Sequence, residues 1–185
     1  MQRHPEILNR KQTGLLIVDV QTKINATMMH PDMVVDSIVK LIKACQILNV
    51  PIFITEQYPK GLGPTETRIL EALQGEAPIQ KMTFSCCANE QLVKQLKANN
   101  IQQVIVTGIE SHVCVQQTAL DLLARDLQVH VPKDAVSSRK ELDYRTALER
   151  MCKAGVILTT VETALFELLQ QAGTPEFKEV AKFVK

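Results

Sequence analysis

Three side chains suited to covalent chemistry lie far apart in the sequence, and two of them follow apolar runs. Asp19 closes "TGLLIVD", Lys81 precedes "MTFSCC", and Cys114 lies after "VIVTGIESHV". A thiol that attacks a carbonyl needs a base for its proton, an acid for the leaving group and a cation to balance negative charge. Asp19 could carry the proton, Lys81 could balance the charge and Cys114 could attack. The three residue types together predict a cysteine nucleophile.

Each of these residues also has an ordinary structural interpretation. Asp19 could be a solvated cap and Lys81 a surface residue, while free cysteines are commonly inert core residues. Against this, Cys114 opens a predicted helix, where unpaired amides and the helix dipole favour a thiolate. His112 is a competing base, but it lies only two residues before Cys114, and such neighbours on a helix do not face each other.

The elements that must position these side chains alternate between strand and helix. Continuous apolar runs rich in β-branched residues are typical of strands buried on both faces of a parallel sheet; they are Thr13–Val20, Pro51–Thr55, Gln103–Thr107, Gln128–Val131 and Val156–Thr160. Helical stripes lie at Met33–Leu48, after a capping Asn89, at Val115–Leu123, Leu142–Ala154 and Glu162–Leu169. The alternation predicts one α/β domain over residues 1–185. We interpret the Gly- and Pro-rich segment Glu56–Glu66 as a loop.

Ligands of open parallel sheets bind beyond the carboxyl ends of the strands, which is where Asp19 and Cys114 fall. No GxGxxG follows the first strand, and this excludes the common dinucleotide-binding fingerprint.

The composition argues against nucleic-acid and membrane partners, and we expect a small-molecule substrate. The net charge is +1 and only 4% of residues are aromatic, so we expect no nucleic-acid partner. We expect no membrane partner, since no apolar run approaches ~20 residues and no signal core is present. Five cysteines without a CxxC pair predict reduced thiols in a soluble, cytoplasmic protein; they are Cys45, Cys86, Cys87, Cys114 and Cys152.

Three segments in this order resemble the isochorismatase-like cysteine hydrolases, which include nicotinamidase and N-carbamoylsarcosine amidohydrolase. They are "LLIVDVQ", "QKMTFSCC" and "VTGIESHVCVQQTALDLLARDLQVHVPKDAVSS". More narrowly, "FITEQYPKGLGPT" and "TPEFKEVAKFVK" look like the isochorismatase-domain-containing branch. The resemblance implies a Rossmann-like three-layer α/β/α fold with a six-stranded parallel sheet of order 3-2-1-4-5-6.

The resemblance also implies the site. Asp19, Lys81 and Cys114 would form a catalytic triad. A cis peptide would join Ile109 to Glu110, and the backbone amides of Glu110 and Cys114 would form an oxyanion hole.

The sequence departs from nicotinamidases in the loop after the second strand. Those enzymes hold a metal there with histidine ligands, but "EQYPKGLG" contains no histidine. We therefore expect no metal and no cofactor, in a pocket shaped partly by Gln57, Tyr58 and Phe84.

The working hypothesis is a hydrolase that cleaves a small amide or related carbonyl compound through a Cys114 thioester. Two alternatives stay open: a catalytically silent binding or scaffold protein, and a redox protein that pairs Cys114 with Cys86 or Cys87. Relatives imply a homo-oligomer, as a dimer, tetramer or larger. An apolar C-terminal segment could serve that interface or pack on its own subunit; its residues are Phe177, Val180, Ala181 and Val184.

Overall fold

The structure is a computed structural model that describes residues 3–75 and 77–184. Its described strands are β1 (Thr13–Val18), β2 (Ile52–Gln57), β3 (Ile79–Lys81), β4 (Gln103–Ile109), β5 (Gln128–Pro132), β6 (Val136–Ser137) and β7 (Ile157–Thr159). Its described helices are α1 (Thr22–Asn25), α2 (Pro31–Leu48), α3 (Pro59–Leu62), α4 (Thr67–Leu73), α5 (Glu90–Ala98), α6 (Gln116–Leu123), α7 (Glu141–Lys153), α8 (Val161–Leu169) and α9 (Pro175–Val184). None of the helices in these ranges is long and apolar enough to cross a membrane.

The sheet is parallel, and its main strands run in the order β3-β2-β1-β4-β5-β7. This confirms the expected order of six strands. A seventh strand, the two-residue β6, pairs with the end of β4 and was not predicted. Two residues are too short to produce the apolar run by which the longer strands were identified.

Two hydrophobic cores, one on each face of the sheet, explain why the strands read as continuous apolar runs. Along β1, Leu15 and Ile17 enter the core under α2, α4, α8 and α9, whereas Leu16 and Val18 enter the core under α5, α6 and α7. Successive side chains of a strand point to opposite faces, so both faces must be apolar when both are covered. The three-layer α/β/α prediction is confirmed.

Two local predictions had mixed outcomes. Asn89 caps α5 as expected, because its side chain accepts hydrogen bonds from the backbone of Gln91 and Leu92. The segment Glu56–Glu66 is not wholly a loop: β2 continues to Gln57, and α3 forms one helical turn. Proline at the first helical position starts such a turn even in a Gly-rich segment.

The apolar C-terminal segment packs at least partly on its own subunit. Val180 of α9 is fully buried in the core under α2, and Phe177 lies beside Phe166 with ring centroids 6.3 Å apart. Val184 also packs against this core. These contacts occupy much of the surface considered for an interface.

Gly108 lets β4 approach β1 at the strand end that carries Asp19. It pairs in register with Val18, has φ +107°, and a Cβ at this position would lie 2.1 Å from the Val18 carbonyl oxygen. An alanine would therefore push apart the two strand ends that lead into Asp19 and Cys114.

We expect Gly108→Ala to lower the free energy of unfolding by at least ~2 kcal/mol, from positive-φ strain plus overpacking. For a chain of this size that corresponds to a melting temperature at least ~4 °C lower. Gly155→Ala is the matched control, because Gly155 has φ +104° but nothing within 4 Å of its would-be Cβ. Equal melting temperatures for the two variants would contradict the importance of the close approach.

Candidate active site

Asp19 lies directly after β1 and is 2% exposed. Its backbone is left-handed (φ 53°), and its N–H donates to the Thr55 carbonyl at 3.2 Å. Both carboxylate oxygens have partners: Thr55 Oγ1 donates to Oδ1 at 2.8 Å, and Lys81 Nζ donates to Oδ2 at 2.5 Å. The aspartate is therefore neither a solvated residue nor a helix cap; its carboxyl group is buried and paired with Lys81.

Lys81 ends the edge strand β3, and its side chain is 1% exposed. Besides Asp19, Nζ lies within donating distance of Gln57 Oε1 at 2.9 Å and of the Thr83 and Phe84 carbonyl oxygens, both at 3.1 Å. Burial acts to lower the Lys81 pKa, but nearby negative groups, with Asp19 the strongest, outweigh it and raise the pKa above its usual value. Lys81 is thus a buried ammonium whose donors are all engaged.

Cys114 lies in a π-helical turn, Ser111–Val115, between β4 and α6, and is 6% exposed. Burial raises the pKa of its thiol above the usual value, the Asp19 charge raises it further, and the Lys81 charge opposes both. The helix start was expected to favour a thiolate, whereas burial and the Asp19 charge act on the Cys114 pKa in the opposite direction. Asp19 and Lys81 contact each other at the carboxyl ends of β1 and β3. Cys114 follows the carboxyl end of β4, which pairs with β1, and both charges act on its thiol.

The peptide bond between Ile109 and Glu110 is cis. Glu110 is 6% exposed, and its carboxylate accepts a 2.9 Å hydrogen bond from Arg139 Nε. The Glu110 carbonyl accepts from the backbone N–H groups of Val113 and Val115, which anchors the turn that carries Cys114.

The three residues expected to shape the pocket lie in different surroundings. Gln57 is buried and bonded to Lys81, whereas Tyr58 is 47% exposed and Phe84 is 54% exposed. Tyr58 lines a cleft of about 550 Å³ together with Met82, on the flank of Lys81. The structure thus places Gln57 against Lys81 and Tyr58 in the neighbouring cleft, whereas Phe84 is exposed and does not line that cleft.

Sequence reasoning missed Thr55 and Gln21. Thr55 was noted only as the end of a β-branched run, yet its hydroxyl donates to Asp19. Gln21 is fully buried, and its side chain bonds both backbone groups of Gln57. For Gln21, the only signal in the sequence was its position two residues after Asp19, the aspartate that follows the first strand.

The competing base is engaged elsewhere: His112 Nδ1 lies 3.0 Å from Ser138 Oγ. Within residues 3–75 and 77–184, no group of three or more His, Cys, Asp or Glu side chains is placed to hold a metal ion. The site as described consists of a thiol, a carboxylate, an ammonium and amide groups.

Two further thiols lie near the site. Cys86 is fully buried, with Sγ 3.6 Å from Thr55 Oγ1, and burial followed by the Asp19 charge raises its pKa to about 11. Cys87 Sγ lies 3.9 Å from the Thr118 carbonyl oxygen. All five cysteines are free thiols.

Comparisons with known proteins agree on the family. The family model described as "Isochorismatase domain" matches residues 13–163. Isochorismatase domain-containing protein 2 of Danio rerio is 43% identical over 178 residues, which covers 96% of this chain and 89% of the relative. The protein of the same name from Homo sapiens is 37% identical over 172 residues, with 92% and 82% covered.

Solved structures agree on the fold. The Caenorhabditis elegans structure described as MAR1 ribonuclease has a TM-score of 0.91 and 42% identity, and the match covers 96% of this chain and 91% of that one. The Escherichia coli YcaC product, described as an octameric hydrolase of unknown specificity, has a TM-score of 0.90 at 23% identity, with 99% and 92% covered. With matches of this extent in sequence and in structure, the chain belongs to the isochorismatase family.

Proposed function

We propose that the protein is a hydrolase that cleaves a small amide or related carbonyl compound through a thioester on Cys114, with Asp19 and Lys81 completing the triad. The observation that carries this proposal is the buried 2.5 Å pair between Lys81 Nζ and Asp19 Oδ2 beside the Cys114 thiol. Burying two charges is costly. An ion pair with only a structural role would not need a thiol beside it.

In the proposed acylation step, Cys114 Sγ forms a bond to the carbonyl carbon while its proton passes to Asp19. The oxyanion accepts hydrogen bonds from the backbone N–H groups of Glu110 and Cys114. Asp19 then gives the proton to the departing amine as the C–N bond breaks. Water, losing a proton to the same carboxylate, attacks the thioester and releases the acid and the thiol.

The raised pKa of the Cys114 thiol suits this sequence of events. The thiol and the Asp19 carboxylate share one negative charge, and the Lys81 ammonium balances it whichever of the two holds the proton. Moving the proton within this cluster leaves its net charge unchanged, so the burial of the site opposes the transfer less than it opposes ionisation of an isolated thiol.

Burial also limits the substrate. Only 6% of Cys114 is exposed, so the reacting group must be small and approach end-on. The exposed rings of Tyr58 and Phe84 are the proposed apolar contacts for the remainder of the substrate.

We also propose that the protein is cytoplasmic and homo-oligomeric. Sedimentation velocity tests the oligomeric state directly.

The experiment that tests the proposed function is a search for the acyl-enzyme. The protein is incubated with a panel of small amides, quenched in acid and weighed intact. We expect a mass increase on wild type and on Cys152→Ala, whose thiol is exposed on α7, but none on Cys114→Ala. An equal mass increase on Cys114→Ala would contradict the proposal.

A nuclease function is the second candidate, because the 42% identical C. elegans protein is described as a ribonuclease. The net charge of +1 gives little attraction to a polyanion. RNA cleaved by wild type but not by Cys114→Ala would favour this function over the small-amide one.

Two further outcomes separate the alternatives of other classes. A Cys114–Cys86 or Cys114–Cys87 disulfide after peroxide treatment would favour a redox protein. Absence of both an adduct and RNA cleavage would favour a scaffold protein that has kept the fold.

A further inference from the structure

We infer that Gln57 is a positioning residue that fixes the Lys81 ammonium against the Asp19 carboxylate. The inference rests on the proposed role of Lys81 in the hydrolase, and it concerns a residue for which the sequence suggested only a pocket-shaping part. Four observations carry it: the contacts of the Gln57 side chain, the clamp on its backbone, its burial and its lack of charge.

The side-chain amide of Gln57 joins two segments at the carboxyl edge of the sheet. Oε1 accepts a 2.9 Å hydrogen bond from Lys81 Nζ, and Nε2 donates a 2.8 Å hydrogen bond to the Met82 carbonyl. Both ends of the amide therefore engage the end of β3 and the residue after it. This arrangement fixes the orientation of the amide. The fixed Oε1 in turn defines the direction in which Lys81 Nζ donates one of its hydrogen bonds.

The Gln57 backbone is held as firmly as its side chain. Its N–H donates to Gln21 Oε1 at 2.8 Å, and its C=O accepts from Gln21 Nε2 at 3.0 Å. The same Nε2 donates to the Gly63 carbonyl at 2.6 Å. Because Gln21 lies two residues beyond Asp19, the clamp ties the segment that carries the carboxylate to the residue that holds the ammonium.

A neutral acceptor is the appropriate chemistry at this position. Lys81 has a flexible four-carbon stem, and its point charge does not by itself select a direction. A second carboxylate would fix Nζ but would compete with Asp19 and add negative charge beside the Cys114 thiol. The Gln57 carboxamide supplies direction without charge, and at 9% exposure it is largely shielded from water.

The consequence is measurable at the thiol. The Lys81 charge acts to lower the Cys114 pKa, so an ammonium that drifts from its position lowers it less. Losing Gln57 should therefore make Cys114 less ionised at a given pH and slower to react with iodoacetamide. A variant that only loosened the fold would have the opposite effect, because it would expose a buried thiol.

The test is the rate of iodoacetamide alkylation of Cys114 at pH 9, followed by peptide mass mapping of the intact, folded chain. We expect Gln57→Met to react about tenfold more slowly than wild type, which corresponds to a thiol pKa about one unit higher. Gln80→Met is the matched control: Gln80 is an exposed glutamine next to Lys81 on β3, and we expect a rate within about twofold of wild type. If Gln57→Met does not fold, Gln57→Asn carries the same expectation, since its shorter amide cannot reach both partners.

A double-mutant cycle identifies the route of the effect. In a Lys81→Met background, or in Asp19→Asn/Lys81→Met if the single variant does not fold, Gln57→Met should change the rate by less than about twofold. A tenfold effect that persists without Lys81, a rate that rises instead of falling, or an equal slowing by Gln80→Met would overturn the inference. The readout needs no substrate, so failure to find an acyl-enzyme would defeat the proposed function without deciding this inference.

Discussion

Replacing Cys114 with alanine is expected to abolish turnover, with a loss of at least ~10⁴-fold in kcat on any substrate that acylates the wild-type protein, because the covalent route disappears with the nucleophile. The cavity left by a single sulfur should leave the fold intact. Cys152→Ala removes an exposed thiol from α7 and should keep turnover within about twofold of wild type. The measurement is steady-state kinetics on matched preparations, with melting temperatures as the check on folding.

Asp19→Asn and Lys81→Met are expected to lower kcat by ~10²–10⁴-fold each, the usual range for loss of a positioned acid–base group. Asn keeps the shape of the carboxylate and can still accept from Thr55, but it can neither carry the proton nor supply the negative charge that pairs with Lys81. Lys81→Met leaves the Asp19 carboxylate buried without its cation, which destabilises the fold by ~3–5 kcal/mol. Near-normal turnover in a folded Lys81 variant would contradict the triad.

Asp19 and Cys114 could be proposed as site residues from the sequence because the fold class could be predicted from it. Apolar runs that are buried on both faces predict a parallel sheet, and the carboxyl ends of its strands are where ligands bind. Asp19 was placed correctly by its position after such a run. Lys81 and Asp19 are separated by 62 positions in the chain; residue type suggested Lys81 as the cation, and the resemblance to a family supported its place beside Asp19.

The electrostatics of the site could not be predicted from the sequence in the same way. The position of Cys114 at a helix start predicts a stabilised thiolate, but burial and the Asp19 carboxylate act on the thiol pKa in the opposite direction. Both come from tertiary packing: β1 ends beside β4, where Gly108 permits the approach. The contacts of Thr55 and Gln57 with the two charges likewise depend on strand register, which pairs Thr55 with Val18 and Gln57 with Lys81.

The two charged members of the triad are expected to shift the Cys114 pKa in opposite directions when they are removed. Asp19→Asn deletes a negative charge that raises the thiol pKa, so the pKa should fall and alkylation at pH 8 should be at least ~tenfold faster. Lys81→Met deletes a positive charge that lowers the thiol pKa, so the pKa should rise and alkylation should be at least ~tenfold slower. Rates of iodoacetamide modification measured from pH 7 to pH 10 check both signs.

Asp19→Asn is the informative variant, because its Cys114 thiol should react faster with iodoacetamide while its turnover falls. Asp19→Asn should contain the more ionised thiol and still be nearly inactive, because a thiolate can attack but cannot return a proton to the departing amine. If Asp19 served only to ionise Cys114, its loss would slow alkylation and turnover together. A shift of the thiol pKa in the same direction for Asp19→Asn and Lys81→Met would contradict a site in which one carboxylate and one ammonium act on the same sulfur.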